Sequence, residues 1–193
     1  MAALKILVIP GSIRSGSLNA RLAAAVTKEL ALADVEATRI SLEDFPLPIY
    51  DADLEAKAGV PEAARNLKRM IGIHHGVFIA TPEYNASVPP LLKNAIDWIS
   101  RARERSEAAG SALRDRVVAI GAASERPCGG LAALQALRQI LAQGCGAHVI
   151  PQQIALPSAD RAFDEMDRLK EARDAEMLRA TVRQLIDVSQ RMM

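Results

Sequence analysis

Pro10-Gly11-Ser12-Ile13-Arg14-Ser15-Gly16-Ser17-Leu18-Asn19 follows a short apolar run, Leu4 to Ile9, and precedes a pattern of helical spacing. The run carries several β-branched residues and is ended by Pro-Gly, which reads as a buried parallel strand. After it, Leu18, Leu22, Ala25, Val26 and Leu30 recur at helical spacing, with Ser17 in the N-cap position. A strand, a loop rich in Gly and Ser, and a helix N-terminus together make an anion site. The loop amides and first-turn N–H groups have no partner inside the helix, and the helix dipole favours negative charge there. Ser12, Ser15, Ser17 and Asn19 add neutral donors, and Arg14 adds a guanidinium suited to bidentate contact with phosphate. The stretch reads as a phosphate cradle; the plainer alternative is a strand-to-helix turn whose serines only cap.

The kind of phosphate is narrowed by what is missing. Gly11 and Gly16 are spaced as in a Walker A loop, but Ser17 and Leu18 follow in place of the Lys that reaches β- and γ-phosphates. The dinucleotide fingerprint Gly-x-Gly-x-x-Gly is absent, because Ile13 stands at its second glycine. Hydroxyls and one Arg suit a single terminal phosphate.

The rest of the chain bounds the class. Its 193 residues make one domain with a sizeable core the simplest organisation. Half the residues are hydrophobic, mostly aliphatic, and Val/Ile-rich strands alternate with Ala/Leu-rich helical stretches, which favours a layered α/β fold. A net charge of +1 and few aromatic residues argue against a nucleic-acid-binding surface. No apolar stretch is long enough to span a bilayer, so no membrane partner is expected, and the first apolar run is too short for a signal-peptide core. Cys128 and Cys145 lack metal-ligand spacing and suggest no disulfide framework, which fits a reducing cytoplasmic location; no metal site is expected.

Further strands are expected at Val35 to Ile40, Gly76 to Ala80, Val117 to Gly121 and, briefly, Ala147 to Ile150. Between the first two, Phe45 to Leu54 reads as a proline-punctuated loop with exposed apolar residues. It either packs over the sheet edge or forms a pocket wall or subunit contact. Pro61 opens a helix buried through Ala64, Leu67 and Ile71. The third strand runs into Thr81-Pro82-Glu83-Tyr84-Asn85, and a helix begins near Pro89 with Leu91, Leu92, Ala95, Ile96 and Ile99 inward. The fourth strand ends in Ala123-Ser124-Glu125-Arg126-Pro127-Cys128-Gly129-Gly130, and a helix burying Leu131, Leu134, Leu137 and Leu141 follows. From about Phe163 to Met192 the chain reads as helical, with a break near Asp174 and charge pairs such as Asp164 with Arg168 and Glu176 with Arg179 on a solvated face. His74 and His75 read as boundary residues, and Cys128 as a small filler beside a tight turn.

Two motifs carry a resemblance. Gly-Ser-Ile-Arg-Ser-Gly-Ser-Leu-Asn-Ala-Arg-Leu-Ala from Gly11 and Thr-Pro-Glu-Tyr-Asn-Ala-Ser-Val-Pro-Pro-Leu-Leu-Lys-Asn-Ala-Ile-Asp-Trp from Thr81 resemble the NADPH-dependent FMN reductase family, a flavodoxin-like group that includes bacterial quinone, chromate and azo-dye reductases. Leu-Pro-Ile-Tyr-Asp-Ala-Asp-Leu-Glu from Leu47 matches too, and the likeness runs in register from about Leu4 to Ile150. It implies a doubly wound, five-stranded parallel sheet of order 2-1-3-4-5 with helices on both faces, and non-covalent FMN. It assigns the FMN phosphate to Ser12, Arg14, Ser17 and Asn19 and the flavin ring to Pro82, Glu83, Tyr84 and Asn85, and it adds Gly11 and Ser124 as further cofactor-binding residues.

That last loop departs from the family pattern Ser-x-Gly-x-x-Gly-Gly. It keeps Ser124, Gly129 and Gly130 but has Arg126 at the first glycine, where a bulky cation either narrows the flavin edge or serves the cofactor or acceptor. Arg101, Arg103 and Arg105 are candidates for the 2′-phosphate of NADPH; for Arg103 and Arg105, cations at a helix C-terminus are the plainer reading. The resemblance therefore implies an oxidoreductase in which NADPH or NADH reduces bound FMN and a small-molecule electron acceptor (quinone, chromate, azo compound or free flavin) takes the electrons. No catalytic side chain is needed, because the hydride chemistry belongs to the cofactor. The family's habit implies a homodimer or homotetramer. A flavodoxin-like electron carrier that does not oxidise NAD(P)H is the alternative, although the acidic surface usual for one is missing.

Overall fold

The structure, a computed structural model, describes residues 3–103, 107 and 112–193. Five strands alternate with helices: β1 (Lys5–Pro10), α1 (Leu18–Leu32), β2 (Glu36–Arg39), α2 (Ala52–Ala58), α3 (Glu62–Gly72), β3 (Gly76–Ala80), α4 (Pro90–Arg101), β4 (Val117–Ala123), α5 (Leu131–Gln139), β5 (His148–Leu156), α6 (Ala159–Ala162) and α7 (Ala172–Arg191). The strands form one parallel sheet in the order β2-β1-β3-β4-β5, as the resemblance implies.

The central strands are buried on both faces, which explains their unbroken apolar runs. Alternate residues serve opposite cores. Ile6, Val8, Phe78 and Ala119 pack with Leu22, Val26 and Leu30 of α1 and Leu178, Val182 and Leu185 of α7. Leu7, Ile9, Val77, Ile79, Val118 and Ile120 pack with Leu67 and Ile71 of α3, Leu92, Ile96 and Ile99 of α4, and Leu134 and Leu137 of α5. Pairing of Pro10 with Ala80, and Ala80 with Gly121, brings the ends of β1 and β3 level in the sheet, while β4 runs two residues further. Their polar loops therefore share one edge, where the chain order reverses between β1 and β3.

Several boundaries differ from the sequence reading. The stretch read as a loop up to Leu54 already contains the start of α2, because Asp51 caps it: its Oδ1 accepts from the N–H groups of Asp53 and Leu54. Pro61 is the N-cap of α3 and not its first helical residue. β5 continues through Pro151 to Leu156, with a register shift against β4 between Val118 and Ile120; as an edge strand it tolerates a residue without an N–H. Arg138 bridges this irregularity by donating to the Ile150 carbonyl (2.9 Å) and to Gln153 Oε1 (2.9 Å).

The segment from Phe163 to Glu171 is not helical. Phe163 and Leu169 form an isolated bridge, and Asp164 Oδ1 accepts from the N–H groups of Met166 and Arg168, so local side-chain bonding replaces the helix ladder there. The Asp164–Arg168 pair thus closes a turn, while Glu176 and Arg179 do pair on α7. Leu131 is exposed at the first position of α5, and Cys128 is exposed and not a packed filler, because Gly129 makes the close approach to β5. His74 is buried with Nδ1 2.6 Å from the Met70 carbonyl, and His75 Nδ1 accepts from the Lys5 N–H, as fits boundary residues.

Candidate active site

At the carboxyl edge of the sheet a cleft of about 200 Å³ opens between three loops. Ser12, Arg14, Ser17 and Asn19 line it from the β1–α1 loop; Pro82, Glu83 and Tyr84 from the loop after β3; and Ser124, Glu125 and Arg126 from the loop after β4. Eight of the ten residues singled out from the sequence therefore meet in one place. Gly11 and Asn85 lie outside its lining.

The cradle is built from its N-cap. Ser17 Oγ accepts from the Ala20 N–H (3.3 Å), and a turn closed by Ser17 N–H on the Arg14 carbonyl (3.1 Å) sets the loop above the start of α1. Ser12 Oγ accepts from the Arg14 N–H at 3.3 Å, which fixes the loop's first half. Arg14 itself is exposed and forms no ion pair with the described residues. A guanidinium beside a helix N-terminus, whose cap takes up the Ala20 N–H and leaves the amides before it to a ligand, is the donor set that a phosphate monoester needs.

Asn19 has a different role from the other cradle residues. It is buried; its Nδ2 donates to the Ala123 carbonyl and its Oδ1 accepts from the Ala123 N–H, both at 2.9 Å. It therefore pins α1 to the end of β4 and fixes how far apart two walls of the cleft stand. Gly11 is also structural: its N–H donates to the Ala80 carbonyl at 2.7 Å, and a Cβ there would meet Leu92 Cδ2 at 3.0 Å. Ser124 Oγ accepts from the Arg126 N–H, and Ser124 N–H donates to the Leu156 carbonyl.

The loop after β3 is strained. Tyr84 and Ser87 exchange backbone hydrogen bonds of 2.9 and 3.0 Å around Asn85 and Ala86, which have φ of 49° and 60°. Both central residues of the turn thus lie in the left-handed region, a conformation that costs an alanine about 1–2 kcal/mol. Glu83 is half-buried and its Oε2 accepts from the N–H groups of Ala132 and Ala133 at 3.1 and 3.3 Å.

Beside the polar cleft runs an apolar groove. One section, about 290 Å³, shares Ser12, Arg14 and Tyr84 with the cleft and adds Gly11, Ile13, Pro89, Pro90 and Leu91. A second, about 280 Å³, continues past Ile13 and Leu91 to Phe45, Pro46 and Leu47. The proline-rich loop is fastened to α4 there: Trp98 Nε1 and Asn94 Nδ2 both donate to the Pro48 carbonyl, Asn94 Oδ1 accepts from the Tyr50 N–H, and the Tyr50 and Trp98 rings meet edge to face at 5.0 Å. The stretch walls the groove, as one of its two readings expects, and it packs on α4.

Of the arginines read as candidates for a nicotinamide phosphate, Arg101 and Arg103 are absent from the linings of the cleft and the groove. Arg101 Nε donates to both oxygens of Glu55, and these bonds hold the Glu55 carboxyl below its ordinary pKa; Tyr50 OH also donates to Glu55, which raises the Tyr50 pKa. Arg103 lines a separate cavity of about 350 Å³ with Arg65, Lys68 and Arg69, at the opposite end of the sheet. Arg69 sits in the last turn of α3 and Arg103 just past the end of α4, where helix dipoles favour positive charge, and Lys68 pairs with Glu107. Arg105 lies outside the described residues. Arg126, by contrast, lines the cleft, where either of its two readings, narrowing the flavin edge or serving the cofactor or acceptor, would place it.

The NADPH-dependent FMN reductase family model matches residues 4–161. The chain belongs to this family. It is 40% identical over 139 residues to a quinone reductase of Escherichia coli strain K12, covering 72% of this chain and 69% of the relative. It is 33% identical over 183 residues to an NAD(P)H-dependent FMN reductase of Pseudomonas aeruginosa, covering 94% and 93%. Among solved structures it resembles the flavoenzyme NAD(P)H:(acceptor) oxidoreductase FerB of Paracoccus denitrificans, with a TM-score of 0.82, 26% identity and coverage of 98% and 99%. The chain is therefore an oxidoreductase that uses FMN with NAD(P)H as donor. Its residues fit the cofactor: Arg14, without an ion pair among the described residues, and the start of α1 line the cleft with the kind of charge and donors that a terminal phosphate requires.

Proposed function

We propose that the chain is one flavin-binding domain that uses NAD(P)H to reduce a quinone. When bound, FMN supplies the hydride chemistry, from NAD(P)H to the flavin and on to the acceptor. Arg14, Ser12, Ser17 and the first-turn amides of α1 would hold the phosphate, and Pro82, Tyr84 and Ser124 would border the ring. The observation that carries the reading is the junction of a polar cleft, open at the Arg14 guanidinium, with an apolar groove through Ser12, Arg14 and Tyr84. An apolar groove suits a flat, weakly polar acceptor better than an oxyanion such as chromate. The name of the Escherichia coli relative supports the same choice.

Steady-state assays with NADPH and a substituted benzoquinone, chromate, an azo dye or free FMN test this directly. The quinone is expected to give the largest kcat/KM; a larger value for any other acceptor would replace quinone in the reading. Ile49 is an exposed large apolar side chain at 86%, and a second copy of the chain is proposed to cover it, giving a homodimer or homotetramer. Light scattering that gives the monomer mass at micromolar concentration would refute this. A cytoplasmic location, where the free thiols Cys128 and Cys145 stay reduced, is part of the proposal and is checked by cell fractionation.

A further inference from the structure

We infer that Glu83 is a positioning residue and not a cofactor ligand: its carboxylate caps α5 from across the cleft and thereby holds the loop after β3 where the flavin ring must lie. The inference rests on the FMN reading above. α5 begins without a side-chain cap of its own, because its N-cap is Gly130, at φ 83°. Its first-turn donors Ala132 N–H and Ala133 N–H instead both reach Glu83 Oε2, about fifty positions away in sequence. Two otherwise orphaned helix donors and the positive end of the dipole are satisfied by one anion.

The sequence around α5 is shaped for this contact. A Cβ on Gly129 would stand 2.8 Å from the Ala155 carbonyl carbon, and one on Gly130 would stand 2.6 Å from Ala122 Cβ. The two glycines let the chain turn tightly enough over β4 and β5 for the helix to open toward Glu83. On the other side, the loop that carries Glu83 holds the left-handed pair Asn85 and Ala86, a conformation kept only when its surroundings over-determine it. Its backbone is anchored by Thr81 N–H on the Gly121 carbonyl, and its tip by the Tyr84–Ser87 turn. Glu83, between them, is the side-chain tie to α5. With its Oε2 committed to the helix, Glu83 leaves Pro82, Tyr84 and the loop backbone to face the ligand.

Three variants separate reach from charge. Glu83→Gln keeps an oxygen at the same reach without the charge; Glu83→Asp keeps the charge but is one methylene too short; Glu83→Ala removes both. FMN affinity of the apo-protein is read by quenching of flavin fluorescence, alongside amide exchange at Ala132 and Ala133. Glu83→Gln is expected to bind FMN within about threefold of wild type, and Glu83→Asp and Glu83→Ala about tenfold more weakly, with faster exchange at both amides. Glu83→Asp matching wild type while Glu83→Gln loses affinity would overturn the inference in favour of direct charge contact. Faster exchange in Glu83→Asp with unchanged FMN affinity would overturn it in favour of a cap that serves α5 alone. If Glu83→Ala does not fold, the Gln and Asp pair still decides. A wild-type chain that takes up no FMN would overturn the flavin reading itself, and the assigned role of Glu83 with it.

Discussion

Replacing Arg14 by alanine separates binding from folding. Arg14 is exposed and contributes no side-chain hydrogen bond or ion pair among the described residues, and its backbone N–H bond to Ser12 Oγ survives the change. The fold therefore loses almost nothing, and the midpoint of urea unfolding is expected to stay where it is. FMN binding loses a charge-assisted contact to a phosphate dianion. Such contacts contribute about 1.5–3 kcal/mol, which corresponds to a rise in Kd of about 10- to 150-fold. Because the guanidinium sits at an open, solvated rim, the lower part of that range is expected. The assay is titration of apo-protein with FMN, followed by flavin fluorescence, at low and high salt. Wild-type affinity should fall with added salt more steeply than that of the variant. An unchanged Kd with an unchanged salt dependence would remove Arg14 from the phosphate site and undo the cradle reading.

Other perturbations address the scaffold of the cleft. Asn19→Ala leaves the buried N–H and carbonyl of Ala123 without partners and should destabilise the protein by about 2–5 kcal/mol in urea unfolding; a loss below about 1 kcal/mol would mean that water replaces the side chain. Gly129→Ala combines a left-handed φ of 60° with a Cβ 2.8–2.9 Å from the β5 backbone, and should cost about 2–5 kcal/mol and weaken FMN binding. Asp164 is held at about 2, below its ordinary 3.8, chiefly by hydrogen bonds from Arg168, so its contribution to stability is full above 3.8 and is lost as pH falls through about 2. The gap in stability between wild type and Asp164→Asn should thus be constant at neutral pH and close between those values; a gap that widens on acidification would contradict the assignment.

Some of this organisation is legible in the sequence because the signals are local. The β-branched runs of β1, β3 and β4 mark buried parallel strands, and Ser17 before a helix-spaced run marks a cap. The shared edge of the cleft follows from strand order alone. What the sequence hides depends on partners distant in the chain. Asn19 looks like another cradle donor until its partner Ala123 is seen, 104 positions away. Glu83 looks like a ring contact until α5 arrives beside it. The continuation of β5 past Pro151 is legible only once β5 is known to be an edge, and the turn at Asp164 wins over its helical charge spacing through side-chain bonds to the backbone. Asp51 did carry a readable signal, an acidic N-cap before Ala-Asp-Leu-Glu, which the neighbouring prolines obscured.

The central claim is that this cleft binds FMN and that NAD(P)H reduces it there. The visible spectrum of the protein with FMN, recorded before and after anaerobic addition of NADPH or NADH, tests both halves at once. A protein-bound flavin spectrum that bleaches on addition and returns when a quinone is added is the predicted result. Bound flavin that stays oxidised with either nicotinamide would make the protein an electron carrier, and the absence of bound flavin would contradict the phosphate cradle itself.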